Sequence, residues 1–359
     1  MTPNEASRPL RVALVAPLHE SVPPQFYGGT ERVVSYLAEE LVRQGHRVTL
    51  YATGDSVTSA ELRSMWPRGL RLDPECRDTL APHIAMLHDV IESIDEFDVI
   101  HFHVDYLHFA AARLLRLPAV TTLHGRLDNV ELAPLYRRYA DMPVVSISDA
   151  QRRPLPWAKW AGTVHHGLPP DLLRAGPGDG GYLAFVGRIS PEKRPDRAIR
   201  IARRAGLPLR IAAKVEKTDQ PYFESVVKPL LGPGVEFVGE IGERDKQDFL
   251  GRARALLFPI DWPEPFGLVM IESLACATPV IAFPCGSVPE VLRDGVDGRI
   301  VASEDEAVEA VARIGAIGRA ACRASFDARF TAERMARDYV AIYRALAAAG
   351  AHTPMEAAA

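Results

Sequence analysis

No glycine is followed by lysine anywhere in the 359 residues, so the chain carries no P-loop. Its longest glycine cluster of the G-x-G type, GPGDGG at 176–181, stands before an apolar run instead of after one, which is the wrong order for a dinucleotide fingerprint. No D-x-D pair occurs, so the usual carboxylate arrangement for holding a divalent cation on a diphosphate is missing, and no metal site is expected. The four cysteines, Cys76, Cys276, Cys285 and Cys322, have no paired, metal-type spacing and suit a reducing compartment, so a cytoplasmic location is expected. The first apolar run, RVALVAP from Arg11, is too short for a membrane span or a signal segment, and no leader is expected. A net charge of −4 argues against a broad polyanion-binding surface, hence no nucleic acid as partner, while leaving room for a local basic pocket.

What the chain does have is an alternation of strands and helices. The apolar fraction of 47% and charged fraction of 25% are those of a globular protein, and the length exceeds what one ordinary core fills. RVALVAP (11–17) reads as a buried strand. Val33, Val34, Leu37, Ala38, Leu41 and Val42 follow at helical spacing, and RVTLYAT restarts a strand after Gly45. FDVIHFH (97–103), AVTTLH (119–124) and PVVSIS (143–148) continue the pattern. From Thr163 to Tyr182 glycine and proline crowd together, and a linker is expected there. Alternation resumes with YLAFVG (182–187), PLRIAAK (208–214), VEFVG (235–239), ALLFPI (255–260) and PVIAF (279–283). The pattern predicts an α/β protein of two Rossmann-like, doubly wound parallel-sheet domains, 1–168 and 169–330, facing each other across a cleft lined by strand carboxyl ends. A last helix, about 331–347, carries Met335, Tyr339, Ile342, Tyr343 and Leu346 on one face and is expected to pack back on the first domain.

One stretch, FPIDWPEPFGLVMIE, carries the chemistry. Pro263 and Pro265 stiffen the backbone on either side of Glu264, which therefore belongs to a loop after a strand. Gly267 lets a ligand approach the backbone where the next helix begins, and free N–H groups there suit a phosphate oxygen. Glu272 lies more than a turn further in, with reach toward a sugar hydroxyl. In FVGRISPEKRPD, Arg188 follows a strand and Lys193 comes five residues later. Together they could neutralise a departing diphosphate as fixed charges.

These residues carry a resemblance that covers nearly the whole chain: it is similar to GT-B glycosyltransferases of the GT4 type, the glycosyltransferase group 1 family. Glu264 and Glu272 match that family's E-x7-E element and GRISPEKRPD matches its G-R-x-x-x-x-K loop. ACATPVIAFPCGSVPEVL resembles its A-x-G-x-P-V tail, and YGGTERVV its N-terminal G-G-x-E-R-x-V. The resemblance implies retaining transfer of a sugar from a nucleoside-diphosphate donor without an essential metal or other cofactor. It implies that Arg188 and Lys193 hold the diphosphate and Glu264 the donor sugar. The backbone of Phe266, Gly267 and Leu268 would cap phosphate, Glu272 would bind ribose, and Gly28 and Gly29 would let the N-terminal loop approach the donor. His124, in TLHG, resembles the family's histidine near the donor sugar. Two departures stand out: Ala277 replaces the usual glycine before Thr-Pro, and IAAKV replaces a glycine-rich IAGxG, where Lys214 either adds a charge to the donor site or only alters the loop. A UDP-sugar is favoured over a GDP-sugar on family frequency. The acceptor is left open among a sugar, a lipid-linked glycan and a small molecule.

Other segments have plainer readings. His101 and His103 in HFHVDYLHF fall on one strand face, but no second ligand cluster accompanies them, so a metal is not expected. His165 and His166 are expected to shape the linker. RRPLPWAKW (152–160) mixes basic and indole groups; an ordinary surface turn is the expectation and a weak peripheral membrane contact the alternative. The rival to transfer is a nucleotide-sugar epimerase or hydrolase on the same scaffold, and a non-catalytic binder comes third.

Overall fold

The computed structural model describes residues 8–25 and 28–350. The chain divides into two compact units. One comprises the chain up to Ile147, Arg152–His165 and the stretch from Ala332 onward; the other comprises Ser148–Gln151 and His166–Thr331. Among the described residues no helix is long and apolar enough to cross a membrane.

The first unit is built on seven strands: β1 (Arg11–Val15), β2 (Arg47–Ala52), β3 (Glu61–Ser64), β4 (Val99–Phe102), β5 (Ala119–Thr122), β6 (Val144–Ser146) and β7 (Trp160–Thr163). They pair in parallel in the order β3-β2-β1-β4-β5-β6-β7. Strands covered by helices on both faces must be largely apolar, which is why β1 appears in the sequence as an unbroken hydrophobic run after Arg11. The helix Gly29–Arg43 follows β1 and buries Val33, Val34, Leu37, Ala38 and Leu41 completely. One core cluster joins Ala13, Val15, Ile100 and Phe102 to Met86, Leu87 and Val90 of the helix Leu80–Glu92. Another gathers Phe109, Leu123, Tyr136, Val144 and Leu155.

The second unit has six strands: β8 (Leu183–Arg188), β9 (Leu209–Lys214), β10 (Val235–Gly239), β11 (Ala255–Phe258), β12 (Val280–Ala282) and β13 (Gly298–Ile300). All pair in parallel, in the order β10-β9-β8-β11-β12-β13. The strand order reverses between β8 and β11, so loops leaving their carboxyl ends diverge and open a crevice, the usual ligand position in such sheets.

β3, β7 and β13 have no counterpart in the sequence expectations. Each is a sheet edge, three or four residues long, and β3 and β7 expose part of every side chain. Short, half-wet edge strands need no apolar run, so periodicity does not betray them. β7 starts at Trp160, so the supposed surface turn RRPLPWAKW ends in a sheet.

The glycine- and proline-rich linker also needs correction. From Leu168 onward it is lashed to the second unit: Leu168 N donates to Phe330 O, Gly176 N to Cys276 O, Gly178 N to Gly251 O and Gly180 N to Arg252 O, all at 2.8–3.0 Å. A Cβ on Gly176 would lie 2.3 Å from the Gly251 backbone. Glycine is there because two backbones touch, and chain flexibility is not its purpose. Ala277 shows the converse. It has a φ of +60°, the left-handed region, where an L side chain costs about 1–2 kcal/mol, so a glycine would be the less strained occupant.

Candidate active site

In the second unit, Lys193 leaves β8 on one side of the reversal and Glu264 leaves β11 on the other. The Lys193 ammonium donates to Glu264 Oε2. Trp262 Nε1 donates to the same oxygen at 3.1 Å, and the ammonium lies 4.8 Å from the Trp262 ring centre. A cation over an indole face, sharing a carboxylate with the indole N–H, is held by charge, quadrupole and hydrogen bond together. Trp262 sits inside the stretch singled out from sequence, but its role depends on this contact, which spacing alone does not disclose.

The two loops are also tied at their backbones and flanks. Asp261 N donates to Glu192 O at 2.9 Å. Arg194, in the left-handed region at φ +53°, forks onto Asp196 and reaches Asp261 Oδ2 at 2.7 Å. Burial alone would raise the Asp196 carboxyl, but hydrogen bonds from Arg194, Tyr222 and Arg200 hold it below the usual carboxylate range. Arg194 thereby fixes the residue beside Lys193 against the loop that carries Glu264.

Glu264 is buried and cradled from below. Its carbonyl accepts from Ser287 N at 3.0 Å, and Ser287 Oγ donates to Phe266 O at 2.7 Å. Gly286, at φ +59°, lies so close that a Cβ would stand 2.2 Å from Glu264 O and 2.4 Å from Glu264 N. Phe266 turns its ring into the core against His166, with centroids 4.9 Å apart, so only its backbone faces the loop. Gly267, at φ +79°, starts the helix Leu268–Ala275. The N–H groups of Gly267, Leu268 and Val269 form no hydrogen bond among the described residues, and such unspent donors at a helix start suit an anion.

Arg188 and Lys214 end the adjacent strands β8 and β9 as register partners. Arg188 lies within ion-pair range of Asp219 (3.2 Å), Glu192 (3.6 Å) and Glu216 (3.9 Å), yet its side chain donates no hydrogen bond within the described residues. Its charge is balanced while its N–H donors remain to be used. Glu272, in the helix Leu268–Ala275, is almost fully buried and accepts from Lys246 Nζ at 2.7 Å. Lys246 was not anticipated, because nothing in a lone lysine 26 residues upstream points to Glu272. A cavity of about 500 Å³ lies elsewhere in this unit. It is lined by Tyr182 and Arg210, at the starts of β8 and β9, and by Asp248 and Phe249 of the helix Glu243–Gly251, away from the Lys193–Glu264 pair.

The other expected residues lie in the first unit. His124 follows β5 and its Nε2 is hydrogen-bonded to His103 Nδ1 at 2.8 Å. Although part of its ring reaches the surface, burial pushes its pKa down to about 3, so the imidazole is neutral. His101 spends both ring nitrogens, on Tyr343 OH and Thr122 Oγ1 at 2.7 Å each, and Thr122 meets Tyr339 OH at 2.9 Å. His101 thus serves a buried hydrogen-bond network anchored on the helix Ala332–Gly350, while His108 pairs with Thr121 Oγ1 at 2.9 Å. No group of three or more side chains placed to hold a metal occurs among the described residues.

Gly28 is buried and extended, and a Cβ there would stand 2.8 Å from Pro24 Cβ; Gly29 is exposed at the start of its helix. Phe26 and Tyr27, from the same loop, lie outside the described residues. Glu31, one turn on, is buried. Desolvation raises its carboxyl to about 7 with the neighbouring Glu20, against its own backbone N–H and Arg71. A carboxyl with a folded pKa above its unfolded value of 4.5 contributes stability that is present below pH 4.5 and lost as pH rises through 7. Glu31→Gln is therefore expected to match the wild type near pH 4.5 and to exceed it by about 3 kcal/mol at pH 8. Urea titrations at the two pH values check this; an equal difference at both would refute it.

Two family models match. The one described as Glycosyltransferase Family 4 covers residues 27–166, and the one described as Glycosyl transferases group 1 covers residues 175–319. A D-inositol 3-phosphate glycosyltransferase of Mycobacterium tuberculosis is 31% identical over 212 residues, which is 50% of this chain and 43% of that protein, so the match spans less than half the relative's length. AviGT4, a glycosyltransferase involved in avilamycin A biosynthesis, is similar in structure with a TM-score of 0.73 and 25% identity, covering 95% of this chain and 99% of its own. Sucrose-phosphate synthase of Thermosynechococcus elongatus gives 0.77 at 20% identity, covering 95% and 100%. HepE of Anabaena, in complex with UDP and glucose, gives 0.70 at 17%, covering 92% and 98%. The two parallel-sheet units have the GT-B architecture of these structures.

Proposed function

We propose that this chain, which belongs to the GT4-type, group 1 glycosyltransferases, moves a sugar from a nucleoside-diphosphate donor to an acceptor hydroxyl with retention of configuration and without a metal. The observation that carries the donor side is the meeting of Lys193 and Glu264 at the point where the strand order reverses, beside the unspent N–H groups of Gly267, Leu268 and Val269. In this reading the diphosphate takes those N–H groups, the Lys193 ammonium and the unused donors of Arg188, with Lys214 next to it. Glu264, released from Lys193, accepts hydroxyls of the donor sugar, and Glu272 accepts from ribose. As the glycosyl bond breaks, negative charge grows on the leaving diphosphate, and fixed cations in a dry crevice stabilise it where a metal otherwise would. Neutral His124 is suited to hydrogen bonding and not to carrying charge. A UDP-sugar is the favoured donor: the Anabaena structure holds UDP and glucose, and uridine donors predominate in the family. Retention rests on the family resemblance.

Thermal shift against UDP, GDP and ADP, each with and without EDTA, tests the reading. One diphosphate at 100 times its Kd is expected to add about 2.7 kcal/mol of stability, unchanged by the chelator. No response to any diphosphate would refute donor binding, and a response abolished by EDTA would refute metal independence. Incubating the preferred donor without acceptor separates the rival reading, because an epimerase would yield a new nucleotide sugar while a transferase yields only slow hydrolysis.

A further inference from the structure

We infer that Lys246 is a positioning residue that makes the donor site selective for ribonucleotides over deoxyribonucleotides, by holding Glu272 in one charge-balanced orientation. The inference rests on the donor reading above and concerns a residue no family element marks. Lys246 stands on the helix Glu243–Gly251 and Glu272 on the helix Leu268–Ala275, so their contact joins two elements that flank β11 in the chain. Both side chains are nearly buried, with 14% and 4% exposure, and Nζ lies 2.7 Å from Oε1. Neither side chain makes another hydrogen bond among the described residues.

That economy is informative. A carboxylate buried alone would be costly, and beside a diphosphate it would also repel the ligand. With the ammonium on Oε1, the pair is neutral as a unit and Oε2 is left as a fixed acceptor with its lone pairs uncommitted. A fixed acceptor discriminates strongly between a ligand that brings a hydroxyl and one that does not, because the latter leaves a buried polar atom unpaired. Among the described residues no other group donates to the Glu272 carboxylate, so without Lys246 no hydrogen bond sets its rotamer. A second consequence concerns charge. Lys193 pairs with Glu264 while Lys246 pairs with Glu272, so Lys246 compensates Glu272 without drawing on Lys193.

Calorimetric titration of the full chain with UDP, GDP and ADP, and with the 2′-deoxy and 3′-deoxy form of whichever binds, gives the readout. The wild type is expected to bind the ribonucleotide at least about tenfold more tightly than either deoxy form. Lys246→Met is expected to weaken ribonucleotide binding roughly 10- to 100-fold and deoxy binding much less, bringing the ratio below about threefold. Lys246→Arg is expected to keep the wild-type ratio. Should the methionine variant fail to fold, Lys246→Gln, which removes the charge and leaves a shorter polar side chain, carries the same test. A variant that weakens ribo and deoxy ligands by equal factors would overturn the inference, leaving Lys246 as scaffolding. A wild type that binds a diphosphate without discriminating would overturn it while donor binding stood. A wild type that binds no diphosphate at all would overturn the donor reading itself.

Discussion

Lys193→Ala is expected to lower kcat/KM by roughly 10²–10³, about 3–4 kcal/mol of lost transition-state stabilisation. The ammonium has two tasks at different stages. Before donor binds, it neutralises Glu264, a carboxylate with a side chain only 10% exposed. In the proposed mechanism it then faces the oxygen that gains charge as the diphosphate departs, and an interaction stronger in the transition state than in the ground state appears in kcat. Alanine removes both, yet Glu264 keeps the Trp262 indole as donor, so the loop has a reason to hold its shape. Lys193→Arg is not a conservative rescue: a planar fork cannot reproduce a compact charge 4.8 Å above the indole. Steady-state kinetics with melting temperature as a control decide the matter. Near-normal turnover in a folded alanine variant would remove Lys193 from the machinery.

Gly286→Ala is expected to be the most damaging single-methyl addition in the second unit. At φ +59° any L residue is strained, and the added carbon would sit against the main-chain atoms of Glu264 and Pro263, which no side-chain rotation relieves. Left-handed strain and forced backbone displacement together cost about 2–5 kcal/mol. The displaced segment carries Glu264, so donor affinity should fall even at temperatures where the variant remains folded. Thermal denaturation and diphosphate titration measure the two losses separately; a variant with wild-type melting temperature and affinity would contradict the packing described here.

How much of this was legible beforehand follows from the kind of contact involved. Buried strands such as β1 and β11 announce themselves because parallel strands covered on both faces must be largely apolar. Polar edge strands have no such obligation, so Glu61–Ser64 and Trp160–Thr163 carry no strand signature in the sequence. Glu264 stood out because two prolines and a glycine surround it, which is information carried by neighbours in sequence. Its partners Lys193, Ser287 and Gly286 are neighbours only in space, and their functions are set by a fold that periodicity outlines without fixing distances. The glycine-rich 176–181 stretch misled for a physical reason: glycine permits both looseness and close backbone approach, and composition cannot distinguish the two.

The helix Ala332–Gly350 belongs to the unit that opens the chain, although all of 166–331 lies between. Tyr343 reaches back 242 positions to His101, and Tyr339 reaches 217 to Thr122. On a ribosome, then, the half begun first is finished last. Its buried imidazole and hydroxyl wait for their phenol partners until synthesis has passed residue 343, whereas the other half is by then already synthesised and free to close on itself.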